Sequence, residues 1–139
     1  MSVALRPRPC SSCPYRRDVP SGVWSASEYD KLPGYDGDIP EQVEAGALGL
    51  FHCHQAPETL CAGWVGCHDM ANNLAMRLHG RRQGVDPAVY DYVSPVPLFA
   101  SGAEAAAHGK RDLDDPSPEA RAKVARLLRL VARRNKREE

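Results

Sequence analysis

What most constrains this chain of 139 residues is where its five cysteines fall: Cys10 and Cys13 near the start, Cys53 and Cys61 in the middle, Cys67 shortly after. Two thiols three positions apart, as in Cys10-Ser11-Ser12-Cys13, can turn towards one point and form half of a tetrahedral metal site. Cys53 and Cys61 can supply the other half. Such a set closes residues 14–52 into one long loop and pins the N-terminus to the middle of the chain. An odd number of cysteines also leaves one outside any disulfide scheme.

Composition strengthens the case for a metal. Leu, Val, Phe and Ile make up only about 19 % of the residues. Much of the remaining apolar content is alanine, which buries little area. A core this thin gains from a structural metal, whose binding energy is folding energy. The formal net charge is zero, so charge repulsion adds nothing to an argument for disorder. The length fits one domain. No run is apolar enough to span a membrane, and the first ten residues, with Arg6, Pro7, Arg8 and Pro9, lack the apolar heart of a signal peptide. The expected compartment is the cytoplasm. Thiols stay reduced there, and clustered cysteines point to metal binding or catalysis.

The first choice of ligands is Cys10, Cys13, Cys53 and Cys61, with Cys67, His54 and His68 as substitutes. If Leu50 to His54 is extended, Cys53 faces one way while His52 and His54 face the other. His54 is then free for an acid–base role. In Cys61-Ala62-Gly63-Trp64, a small residue and a glycine let backbone approach a sulfur closely. Cys67 stands at an expected helix start, where the dipole lowers a thiol pKa. Cys67-His68-Asp69 is no triad by itself, since adjacent helical positions face different ways. The bland alternative is a set of inert thiols acting as small apolar residues. Four thiolates suit zinc. They also suit an iron–sulfur cluster of the 4Fe–4S type, and a proline after a cysteine, as in Cys13-Pro14, is familiar there.

Cys10-x2-Cys13-Pro14-Tyr15-Arg16, Asp18-x-Pro20-Ser21-Gly22-x-Trp24, Phe51-x-Cys53-His54-Gln55 and Cys61-Ala62-Gly63-Trp64 together resemble a family of small proteins of unknown function from high-GC bacteria and their phages. The resemblance spans about residues 8–105. It implies a shared cysteine site and no particular activity.

The expected fold is mainly α, small and irregular: a metal-organised single domain with short strands and a C-terminal amphipathic helix. Residues 1–109 form the cysteine-rich metal-binding domain, 110–116 a polar linker and 117–139 the basic helix. Within the first segment, residues 1–23 and 33–49 read as loop and turn. Short helices are expected at 25–32, with a Ser25–Glu28 capping box, and at 67–78, 86–93 and 101–109. Residues 48–53 read as a short strand.

The final helix begins at Ser117-Pro118 and carries an apolar stripe of Ala120, Val124, Leu127, Leu128 and Val131. Residues 117–139 hold eight basic and three acidic side chains, while the rest of the chain is acidic. Arg126, Arg129, Arg133 and Arg134 are the candidates for contact with nucleic acid or an acidic protein surface. A solvated helix face with no partner is the plainer reading. The leading function is thus a small cytosolic accessory protein with a structural four-cysteine zinc site. The alternatives are an iron–sulfur redox or sensor protein, and a metal-dependent enzyme using His54 as acid or base.

Overall fold

The computed structural model describes residues 2–138; Met1 and Glu139, the outermost residues of the expected segments, lie outside them. The architecture is mainly α, small and irregular. In chain order it comprises β1 (Ala4–Leu5), α1 (Ala26–Asp30), α2 (Ile39–Ala45), β2 (Thr59–Leu60), α3 (Ala62–Cys67), α4 (Gly102–Lys110) and α5 (Pro118–Glu138). Shorter helical turns occur at Leu32–Tyr35, Met70–Asn72, Met76–Gly80 and Pro87–Asp91.

The two strands are parallel, with Ala4 opposite Thr59 and Leu5 opposite Leu60. Val3 extends the pairing on its other side, donating to Gly84 O at 3.0 Å and accepting from Asp86 N at 3.0 Å. These bonds hold the chain entering the first cysteine pair beside the second. Residues 51–61 form a closed loop: Cys53 N donates to Thr59 O at 3.0 Å and Cys61 N to Phe51 O at 2.9 Å. The expected strand at 48–53 is reduced to an isolated bridge between His52 and Leu60.

Three local expectations are corrected. The helix placed at 67–78 starts and ends earlier, at Ala62–Cys67, because the Cys61 sulfur caps it by accepting from Trp64 N at 3.4 Å. The later apolar residues belong to separate turns. Helix α2 falls where turns were expected. Asp38 and Glu41 form a reciprocal capping box there, and Gly46 closes the helix in the left-handed region. Ser25 does not cap α1 through its side chain, which lies 3.0 Å from Ser27 Oγ. Glu28 is instead committed to His54 and Lys31.

Half-buried Asp36 and buried Gln42 tie these short elements together. Asp36 Oδ1 and Oδ2 accept from Gly102 N (2.7 Å) and Ala103 N (2.9 Å), which satisfies orphan donors of α4. Buried Gln42 uses both ends of its amide: Oε1 accepts from Leu74 N at 2.8 Å, and Nε2 donates to Gly37 O and Asn72 O. The main core gathers Tyr15, Tyr29, Leu32, Phe51, Leu60, Trp64, Val65, Met70, Met76 and Val89 around four of the cysteines. A smaller cluster seats α5: Ala120 is wholly buried against Val19 and Val23, with Val124, Leu127 and Trp24 packed partly on it. Only part of the apolar stripe of α5 docks. Leu128 stays 65 % exposed.

Candidate metal centre

The structure brings Cys10, Cys13, Cys53 and Cys61 into one buried cluster. They stand as two pairs. Cys13 Sγ lies 3.7 Å from Cys61 Sγ, and Cys10 and Cys53 neighbour each other closely enough to shift each other's ionisation. Among the described residues, no three His, Cys, Asp or Glu side chains are arranged to hold a metal ion as they stand.

The local chain explains each position. A turn closed by Cys13 N on Cys10 O (3.0 Å) brings the first two cysteines round, and Arg16 N on Cys13 O (3.1 Å) continues it. Across the 51–61 loop Cys53 stands opposite Thr59 and Cys61 opposite Phe51, which brings both cysteines to the same stem. Gly63 lets α3 approach: a Cβ there would collide with Cys13 Sγ and lie 2.8 Å from Tyr15 Cβ.

Main-chain donors surround the sulfurs. Trp64 N donates to Cys61 Sγ at 3.4 Å, and the amides of Ser12 beside Cys10 and of Gln55 and Ala56 beside Cys53 act in the same sense. Hydrogen bonds of this kind favour thiolate over thiol. Cationic side chains gather as well. Arg6 Nη1 is 3.9 Å from Cys53 Sγ. Arg16 Nη1 donates to Pro9 O and Cys10 O while its fork grips Asp18 at 2.7 and 2.8 Å. Lys123 of α5 donates to Ser11 O at 3.1 Å.

Neighbouring sulfurs oppose one another's ionisation. The hydrogen bond from Cys10 pulls Cys53 down to about 5 against the opposing effect of burial, with help from Ala56, Gln55 and Arg6. That same bond, burial and the neighbouring sulfurs push Cys10 well up. Cys61 is pushed up by its bond to Cys13 and by full burial. The Cys10–Cys53 pair therefore gives up one proton readily and the second with difficulty, and a positive ion would be needed to hold both as thiolates.

The substitute ligands lie elsewhere. His68 is committed at both ring nitrogens, Nδ1 to Trp64 O (2.9 Å) and Nε2 to Asp36 Oδ1 (3.0 Å). Cys67 lies outside the two sulfur pairs and borders a cleft with Tyr35 and Asp36; burial, then the Asp36 charge, pushes its thiol up to about 12. His54 turns away from the sulfurs. Its Nε2 is 2.7 Å from Glu28 Oε2, its ring lies 4.5 Å from that of Trp24, and it borders an apolar cavity of about 350 Å³ under α5. Of the candidate nucleic-acid contacts, Arg126 and Arg129 flank a cleft that reaches Ser11 and Ser12, while Arg133 and Arg134 flank a second one towards Arg6.

Sequence reasoning missed Arg6, Asp36 and Gln42. Arg6 lies four residues before the first cysteine, and only the β1–β2 pairing places it against Cys53. Tyr15 Oη and Trp64 Nε1, both in the cysteine-containing core, are buried donors with no partner among the described residues.

One family model matches residues 5–134; it describes a family of unknown function, DUF6283. No curated protein and no solved structure matches the chain.

Proposed function

The chain belongs to DUF6283, a family of unknown function, and on that premise we propose that it is a small metal-binding accessory protein. In this reading Cys10, Cys13, Cys53 and Cys61 hold a structural zinc, and the basic face of α5 meets nucleic acid or an acidic protein surface in the cytoplasm of a bacterial or phage-infected cell. The observation that carries the metal is the burial of four thiols as two adjoining pairs, with main-chain N–H donors on three of them. Such a group can carry several thiolates only with a cation among them, and is well suited to one. Zinc would displace the protons that burial and neighbouring sulfurs hold on Cys10 and Cys61, and would tie β1 and the first turn to the 51–61 loop.

A second reading has its own support. The sulfurs stand as two pairs rather than as one close group of three or four, and Tyr15 and Trp64 each leave a buried donor unused. A larger inorganic unit, an iron–sulfur cluster, would take such a spread set and offer further acceptors.

Metal analysis and visible absorption of anaerobically purified protein separate the two. The zinc reading expects about one zinc per chain and a colourless solution. A brown solution containing iron and acid-labile sulfide would replace it with the cluster. Protein that is folded, metal-free and indifferent to added zinc would overturn both.

A further inference from the structure

We propose that the cleft between β1 and the end of α5 is a binding site for phosphate groups, built jointly by Arg6 and by Arg133, Arg134 and Arg137. The inference deepens the partner half of the function above: it names the ligand chemistry and the place. The cleft has a volume of about 650 Å³. Among the described side chains, four guanidinium groups line it against one carboxylate, that of Glu58. Gln55 and Thr59 add polar side chains to the wall. Among the described side chains none of the four arginines is in an ion pair; the ion pairs there engage other residues.

Cations in the last turns of a helix have an ordinary explanation, since they complement its dipole. That accounts for Arg133, Arg134 and Arg137 taken alone. It does not account for Arg6, which arrives from the far end of the chain and faces them across the cleft. Four guanidinium groups brought to one concavity repel one another, and an anion seated among them relieves that repulsion. Guanidinium forks match the geometry of phosphate oxygens and bind them through paired, charge-assisted hydrogen bonds. The residue that completes the cleft, Arg6, also touches Cys53 Sγ, so the phosphate site adjoins the cysteine cluster.

Phosphate can come as a free oligophosphate or as a nucleic-acid backbone, and the test uses both. The full-length protein, purified with its metal retained, is titrated with inorganic tripolyphosphate and with a labelled single-stranded DNA oligonucleotide at low salt. At least one of them should bind, and tripolyphosphate should compete with the DNA if both occupy the cleft. Arg133→Ala combined with Arg137→Ala should weaken binding at least tenfold, the effect of losing charge-assisted hydrogen bonds. Arg6→Ala should do the same. Arg126→Ala combined with Arg129→Ala removes equal charge outside the cleft and should weaken binding by less than about threefold. Because Arg6 neighbours Cys53, metal content is measured on each variant, and the Arg133/Arg137 pair, which touches no cysteine, carries the decision. Equal losses for the two double variants would overturn the cleft and leave a diffuse basic helix. Binding of neither probe would overturn the cleft and the nucleic-acid reading together, without touching the metal.

Discussion

At the scale of single residues, the account rests on how closely backbone can approach sulfur. Cys13 Sγ fills the space where a Cβ on Gly63 would stand. Gly63→Ala should therefore cost about 1–3 kcal/mol, because α3 must move off the cysteine pair. Chemical denaturation checks this; an unchanged midpoint would mean that the two segments separate freely. The cysteines themselves should divide sharply. Cys13→Ser should lose the metal and more than ~3 kcal/mol of stability. Cys67→Ser, outside the pairs, should keep the metal. This much was legible in the sequence: the thiol spacing and the small residues after Cys61 point to the same cluster. The partners of His54 and His68 were not legible. Both sit among the cysteines in sequence, but Glu28 and Asp36, 26 and 32 residues away, occupy their ring nitrogens.

Elements were read best where a cap and a period agreed. Ser101 caps α4 by accepting from Glu104 N, and Ser117 caps α5 by accepting from Ala120 N at 3.1 Å. They were read worst where a sulfur acts as the cap, as at α3, or where Asp38 and Glu41 start a helix inside a Pro- and Gly-rich stretch. Helix α5 docks through a narrow part of its apolar stripe. Ala120→Arg should undock it at a cost of about 2–3 kcal/mol, since no space exists for a buried cation. Leu128→Ser should change stability by less than about 0.5 kcal/mol. Comparable losses from both would show that the whole stripe is covered in solution. A pH effect belongs to α1. Burial raises the Glu28 carboxyl, but hydrogen bonds from His54 and Lys31 outweigh it and leave the group below its ordinary 4.5. A depressed carboxyl adds stability above its unfolded value and loses it as pH falls through the folded one. Stability should therefore decline below 4.5, and Glu28→Gln should flatten that limb of a denaturation series against pH.

For the molecule as a whole, short elements and a thin apolar core are held by long-range ties: β1 on β2, Asp36 on α4, Gln42 on the 72–74 segment, α5 on Val19 and Val23. None of these pairings has a local signal, so the mainly α character could be read while the path of the chain could not. The central claim is that four cysteine sulfurs, and no other donors, hold one metal centre that ties the first ten residues to the middle of the chain. X-ray absorption at the edge of the metal found in the purified protein tests it most directly. The account predicts a first shell of sulfur alone, at about 2.3 Å for zinc. A shell containing nitrogen or oxygen donors, which would bring His54, His68 or a carboxylate into the site, would contradict it.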